Sequence, residues 1–362
     1  MTPLPASLLK PFVSPTLVLR NRIAMAPMTR GKSPRAVPGA DVAAYYRRRA
    51  EGGVGLLITE GTPVHPLGSP GASVPNMFGE ECLAAWKRIV DEVHCVGGKI
   101  IPQLWHVGPL RNPRDFPGSR LPVSPSGIGK PGDPVGEVLT ESDIAEILRA
   151  FADATRHAKE AGFDGVEIHG AHGYLIDLFF WQATNLRRDA WGGDLVGRTR
   201  FAAEIVRACR REVGPGFHIQ FRYSQWKQQD YTAKLARDPG ELARFLEPLT
   251  DAGVDLFHCS SRRFWEAEFE GSPLNLAGWT KKLTGRPVLT VGGVDAERFV
   301  EPAQPCLPDS VAAADLMVAR GEVDGVAVGR ALLGDPRWVE KWAAGAGDEI
   351  RRFAKADLST LA

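Results

Sequence analysis

The segment Glu167-Ile168-His169-Gly170-Ala171-His172-Gly173-Tyr174-Leu175 places two imidazoles three residues apart and a phenol two residues further on, where an apolar run ends. Paired imidazole N–H donors could grip a carbonyl oxygen and stabilise enolate charge as it develops. A tyrosine hydroxyl, with an ordinary pKa of about 10, stays protonated at neutral pH and can donate to a carbanion. Taken alone, the segment has two other readings. It can be a histidine-rich turn that satisfies its own backbone. Alternatively, His169 and His172 can ligate zinc with His106 or a remote carboxylate, although no carboxylate or thiolate stands near enough in sequence to complete the site obviously.

Such groups need a frame, and the chain supplies a recognisable one. Short apolar, β-branched runs alternate with longer amphipathic stretches, the pattern of a parallel sheet covered by helices. Strands are expected at Ile23–Ala26, Val54–Thr59, Lys99–Leu104, Gly165–Ile168, His218–Phe221, Leu256–Cys259, Val288–Val291 and Gly325–Val328. These make about eight βα units, the number that closes a (β/α)8 TIM barrel with its site at the C-terminal ends of the strands. The runs are nearly all apolar, as for strands buried on both faces. Polar and glycine residues then fall in turn at the strand ends: Pro27-Met28-Thr29-Arg30, Glu60-Gly61, Gln103 and Trp105, His169 to Tyr174, Arg222, Gly292-Gly293 and Gly329-Arg330. The last two pairs suit a phosphate, because glycines let backbone N–H groups approach its oxygens and Arg330 adds charge beside a helix start. They can equally be tight βα turns.

The helix after the third strand is sharply marked. Thr140 with Asp143 resembles a capping pair, Ile144, Ile147, Leu148 and Phe151 form one face, and Gly162 is the stop. The stretch 107–139 before it is rich in proline and glycine and is expected to be a long loop without helix. It contains Gly127-Ile128-Gly129-Lys130-Pro131-Gly132, which matches G-x-G-x-x-G. A dinucleotide fingerprint needs a strand ahead and a helix behind, and this stretch has neither, so it is expected to be a loop. No repeat or linker stands out. One domain is expected over residues 1–362, with the barrel over about 19–343.

Hydrophobic residues make up 44% and charged residues 24% of the chain, with a net charge of +1. That balance points away from nucleic acid as a partner. Cys82, Cys95, Cys209, Cys259 and Cys306 have no metal-ligand or redox spacing and are expected to be free thiols. Met1–Pro11 lacks the features of a signal peptide, and no run approaches the roughly 18 apolar residues of a membrane span. A cytoplasmic enzyme acting on a small molecule, as monomer or homodimer and without a metal, is the expectation.

Leu19-Arg20-Asn21-Arg22-Ile23-Ala24-Met25-Ala26-Pro27-Met28-Thr29-Arg30 resembles the opening signature of the Old Yellow Enzyme family of FMN-dependent ene-reductases. Gln103-Leu104-Trp105-His106, the His169–Tyr174 segment, Asn185-Leu186-Arg187-Arg188-Asp189 with Gly192-Gly193, and Val328-Gly329-Arg330 with Asp335-Pro336 are similar too, in the family's order. The resemblance implies FMN as cofactor and NAD(P)H as hydride donor. It implies that Pro27, Met28 and Thr29 lie along the isoalloxazine, with Thr29 bonding the O4 region. Gly61 and Gln103 would meet the ring's polar edge, and Arg222 would sit near N1 and O2, where positive charge favours the anionic reduced flavin. Gly292, Gly293, Gly329 and Arg330 would hold the phosphate. His169 and His172 would bind the activating oxygen of an alkene, Tyr174 would protonate it, and Trp105 would line the substrate side. The nicotinamide and the alkene would use one flavin face in turn, giving ping-pong kinetics.

Two loops depart from the family pattern. Arg222-Tyr223-Ser224-Gln225-Trp226-Lys227-Gln228-Gln229-Asp230-Tyr231 lacks the proline usual soon after the serine. Ser260-Ser261-Arg262-Arg263-Phe264-Trp265-Glu266 is rich in aromatic and basic groups. Trp226 and Trp265 can simply close the barrel mouth. Alternatively, Phe264, Trp265 and the two arginines can select a planar or anionic substrate.

Overall fold

The computed structural model describes residues 7–116, 118–300 and 306–362. The expectation of no leader over Met1–Pro11 therefore falls partly outside the described residues. Eight parallel strands close into a barrel: β1 (Ile23–Met25), β2 (Leu56–Pro63), β3 (Ile100–Trp105), β4 (Gly165–His172), β5 (His218–Lys227), β6 (Leu256–Ser260), β7 (Val288–Val291) and β8 (Gly325–Val328). Each neighbour in sequence is a neighbour in the ring, and β8 pairs with β1 to shut it. The outward residues of the strands, such as Ile23, Leu57, Val166 and Val326, pack into one apolar layer with the surrounding helices.

Those helices are amphipathic and capped where the sequence indicates. Helix α1 (Ala40–Glu51) and helix α2 (Glu80–His94) follow β1 and β2; helix α3 (Glu141–Glu160) follows β3. The Thr140 side chain accepts from the Asp143 N–H, and Asp143 accepts from the Thr140 N–H, so the expected capping pair is formed. Ile144, Ile147 and Phe151 are buried on the inner face. The short helix α4 (Leu175–Phe180) starts directly after the His169–Tyr174 segment. Helices α5 (Leu195–Val213), α6 (Pro239–Asp251), α7 (Leu276–Thr284) and α8 (Ser310–Ala319) complete the ring. A short helix, α9 (Arg330–Gly334), begins at the arginine that follows β8.

Two expectations change. The stretch 107–139 holds short 3₁₀ turns at Gly108–Leu110 and Pro113–Asp115 and two small strand ladders. Proline and glycine stop long helix there but permit single turns. Its glycine motif lies in a tight antiparallel ladder, Ile128–Lys130 against Asp133–Pro134, with no helix behind it. Secondly, several strands run on past the expected ends, β2 to Pro63, β4 to His172 and β5 to Lys227. Their last residues mix polar, glycine and aromatic side chains at the C-terminal end of the barrel, which makes them look like loop in sequence.

The barrel interior is layered. At the lower end Phe12, Leu17 and Leu19, from an antiparallel hairpin, plug the opening against Ala24, Leu56, Ile101, Leu256 and Leu289. Above this apolar floor, inward positions become polar. All five cysteines are free; Cys82, Cys209 and Cys259 are buried, whereas Cys95 and Cys306 are exposed. Among the described residues, no helix is long and apolar enough to cross a membrane.

Candidate active site

Strand register decides which side chains share the barrel mouth. His169 on β4 stands level with Arg222 on β5, which stands level with His258 on β6. Because side chains alternate along a strand, the inward residues come in pairs two apart: Gln103 and Trp105, Glu167 and His169, Gln220 and Arg222, His258 and Ser260. The pairing on β4 slips between Gly170 and His172, and His172 adopts φ 66°. This bulge re-aims the second histidine, which strict alternation would not place beside the first.

The three residues singled out for chemistry are together. The His169 ring lies 5.1 Å from His172 and 5.0 Å from Tyr174, edge to face in both cases. Trp105 stacks 6.2 Å from His169 and meets Tyr174 edge-on at 4.8 Å. Burial, helped by the nearby Arg222 charge, pulls His169 down to about 3 and His172 well below the ordinary histidine value. Both rings are therefore neutral. His169 Nδ1 accepts a long bond from the Ala171 N–H, which assigns its proton to Nε2. His172 differs from the expectation of a free paired donor, because its Nε2 lies 2.7 Å from Ser260 Oγ and its ring stacks on Trp226 at 4.6 Å. Burial raises the Tyr174 phenol above its ordinary value against a hydrogen bond to Gln228 and the pull of Arg222, so it stays protonated.

The turn carrying these groups is fastened from below. Asp177 accepts from the Gly173 N–H at 2.7 Å and pairs with Lys227 at 2.6 Å, both side chains fully buried. Gln229 Nε2 donates to the Gly173 carbonyl. The unusual fifth loop thus clamps the turn after His172.

Beside the histidines opens a cleft of about 350 Å³, lined among others by Met28, His172, Arg222, Gly292, Gly293 and Arg330. Pro27 and Gly329 also line it. Its outer wall is Trp226, Tyr231 and Arg262, whose guanidinium lies 4.2 Å from the Tyr231 ring centre. Thr29 is exposed one residue beyond Met28, and its loop is held by Glu60, which accepts from the N–H groups of Arg30 and Gly31. Gly61 faces Trp105, where a Cβ would lie 2.3 Å from the indole. Gln103 is buried, and its amide donates to Glu167.

These residues fit a flat, anionic cofactor with a phosphate. Arg222 is buried, donates through Nη2 to Ser260 and leaves Nε without a partner. A buried guanidinium with an open donor is costly unless an acceptor meets it. Gly292 (φ 136°) and Gly293 (φ 85°) turn where a Cβ would strike the Ser261 carbonyl or the Trp265 ring. Half-buried Arg330 lies over Phe299 at 4.7 Å and, among the described residues, has no carboxylate partner. Beside Arg222 and between the two glycine turns the cleft thus offers two places suited to an anionic group.

Phe264 and Trp265 do not line the cleft, contrary to their expected substrate role. Phe264 is fully buried in the core with its N–H on the Gly292 carbonyl, and Trp265 packs beside Gly293. They brace the glycine turn from outside. His106 also faces elsewhere: its ring is stacked 6.1 Å from His65, and Nδ1 accepts from the Gly108 N–H. Among the described residues no three His, Cys, Asp or Glu side chains gather as a metal site. Missed in sequence were Glu167 as a buried acceptor, Gln220, His258 and Ser260. Their signal was a polar residue at every second position of otherwise apolar strands.

A sequence profile of the NADH:flavin oxidoreductase / NADH oxidase family matches residues 7–349. An NADH oxidase of Thermoanaerobacter brockii is 34% identical over 360 residues, covering 95% of this chain and 52% of that protein, so the chain spans about half its length. The 12-oxophytodienoate reductase 1 of Oryza sativa subsp. japonica is 33% identical over 338 residues, covering 91% of this chain and 84% of that one. Among solved structures, the Old Yellow Enzyme homologue of Zymomonas mobilis superposes with a TM-score of 0.82 at 26% identity, over 98% of this chain and 97% of that one. Morphinone reductase superposes with a TM-score of 0.81 at 25% identity, over 97% and 92%. With this barrel, this cleft and a match over nearly its whole length, the chain belongs to the NADH:flavin oxidoreductase / NADH oxidase family and is an Old Yellow Enzyme-like, FMN-dependent oxidoreductase.

Proposed function

We propose that this single barrel domain takes reducing equivalents from NAD(P)H and reduces the C=C bond of enones, maleimides or related activated alkenes, with nitro compounds as alternative acceptors. Bound FMN supplies the hydride. Around it Pro27, Met28 and Thr29 line one edge, Gly61, Gln103 and Arg222 meet the polar edge of the ring, and Gly292, Gly293, Gly329 and Arg330 hold the phosphate. His169 offers Nε2–H to the activating oxygen of the substrate. His172 joins it once Ser260 yields Nε2, and two neutral donors stabilise developing negative charge without adding a proton of their own. Tyr174 holds the proton for the substrate carbon, and Trp105 excludes water on that side. The same cleft serves nicotinamide and alkene in turn, which gives ping-pong kinetics.

The observation that carries this reading is the contact of two neutral imidazoles and a protonated phenol beside the open Nε of buried Arg222. Anaerobic addition of NADH or NADPH to the FMN-loaded protein should bleach the flavin, and an enone, maleimide or nitro compound should restore its colour. A protein that binds no FMN, or whose reduced flavin none of these acceptors reoxidises, would overturn it.

A further inference from the structure

Below the cleft the barrel interior contains a charge for which the proposed reaction has no use. Glu167 is fully buried, and three donors converge on its carboxylate: Gln103 Nε2 at 2.7 Å, Gln220 Nε2 at 2.5 Å and His258 Nδ1 at 2.6 Å. Register explains the convergence. Glu167 stands level with Gln103 on β3 and Gln220 on β5, and His258 stands level with Arg222. Burial alone would raise this carboxyl; the hydrogen bonds from His258 and Gln220 and the charge of Arg222 more than reverse that and hold it below the usual carboxylate range. Glu167 is therefore ionised and accepts only, so His258 must donate through Nδ1. Burial, aided by Arg222, pulls His258 below its ordinary value against Glu167, which leaves a neutral ring whose Nε2 has no partner.

Arg222 and Glu167 are thus opposite charges in one dry stretch of the barrel. Among the described residues no carboxylate lies within ion-pair distance of Arg222; Glu167 acts on it through space. Such action is strong in a low-dielectric interior. Gln220 extends the chain of contacts downward to His218, at 3.2 Å, and Thr16, at 2.9 Å from that ring, so the carboxylate is anchored to the barrel floor.

We propose that Glu167, fixed by Gln220 and His258, is the buried counter-charge that positions Gln103 and sets, through Arg222, how strongly the bound flavin holds electrons. The proposal rests on the reading that Gln103 and Arg222 face the FMN ring. Arg222 alone would favour the negatively charged reduced cofactor strongly. Glu167 offsets part of that field and keeps the cofactor reducing enough to pass hydride on. Glu167 is a positioning residue: Arg222, one layer above it, lines the cleft, and Glu167 itself does not.

The test is potentiometry of the FMN-loaded protein under anaerobic conditions, with a dye of known potential. Glu167→Gln removes the charge and keeps the shape. It should raise the ratio of reduced to oxidised FMN affinity about tenfold, an upward shift of about 30 mV for a two-electron couple. Glu167→Asp keeps the charge but shortens its reach to Gln103, so FMN affinity should fall while the potential stays near that of the parent. His258→Gln keeps a donor and changes no charge, and its potential should also stay. If Glu167→Gln fails to fold, the Asp and His258 variants carry the test, and a shift in either as large as tenfold would overturn the counter-charge. An unchanged potential in Glu167→Gln with FMN bound would overturn this proposal alone. Failure of the parent to bind FMN would overturn the cofactor reading beneath it.

Discussion

At the scale of single residues, the proposed function separates binding from proton donation. Tyr174 keeps its proton because burial opposes the phenolate, and its ring is braced between Trp105 and His169. Tyr174→Phe keeps the packing and removes only the hydroxyl. We expect FMN content to be unchanged and enone turnover to fall about 100-fold or more, measured by stopped-flow reoxidation with the reductive half-reaction as internal control. His169 is neutral down to about pH 3. Between pH 5 and 8 the rate of the oxidative half-reaction should therefore show no step from this imidazole, in contrast to a free histidine titrating near about 6.5. A break near pH 6.5 that vanishes in His169→Asn would contradict the assignment.

At the scale of elements, sequence legibility followed burial. Strands with apolar ends, Val288–Val291 and Gly325–Val328, have the expected bounds, and the Thr140 cap and the face of α3 are as the spacing indicates. Strands that carry the site ran past expectation, since Arg222 to Lys227 or Gly170 to His172 resemble loop until the register places them against a neighbour. Phe264 was misplaced for a related reason: an aromatic in a loop near the mouth can face the core, and composition does not say which way it turns. Glu167 and His258 escaped notice because a polar residue inside an apolar run has meaning only through its partner on the next strand. The elements also allow two tests. Gly293→Ala puts a Cβ at φ 85° and 2.7 Å from the Trp265 ring, so the turn must shift. Its FMN dissociation constant should rise about tenfold, corresponding to roughly 1–2 kcal/mol of left-handed strain. Lys227→Met leaves Asp177 buried without its cation, which should cost about 3–5 kcal/mol in urea unfolding. The loss should shrink at pH 5, where burial lets the orphaned Asp177 take up a proton. Equal losses at pH 5 and pH 8 would show that the pair's charge is not what holds the turn.

At the scale of the whole molecule, the barrel keeps an unusual number of imidazoles dry. Burial lowers His106, His169, His172, His218 and His258 below their ordinary values, the first two to about 3. The unfolded chain protonates these rings near about 6.5 and the folded chain does not, so the unfolded state binds more protons in that window. The stability each ring contributes is then fully present above pH 6.5 and is lost as pH falls below it, for His106 and His169 down to about 3, by up to roughly 1.4 kcal/mol per pH unit for each of these two rings. Asp295 works in the opposite sense. Burial raises it to about 7 against Trp338 and Arg298, so its contribution declines as pH rises from about 4 to 7. Burial raises Glu60 and Asp177 in the same sense, and with five rings against these three carboxyls the urea midpoint of the FMN-loaded protein should be lower at pH 5 than at pH 7.5. A midpoint equal at both would mean that the rings are not held neutral.

The left-handed backbone at His172 has an evolutionary consequence. Few side chains tolerate φ near 66°, and asparagine is foremost among them apart from glycine. Asparagine also carries an N–H donor that never titrates. Histidine and asparagine codons differ by a single base. A lineage with this bulge can therefore pass between the two in one mutational step, keeping the turn and an N–H donor while exchanging the ring that stacks on Trp226 for open space, which under the proposed function would change which substrates fit without rebuilding the barrel.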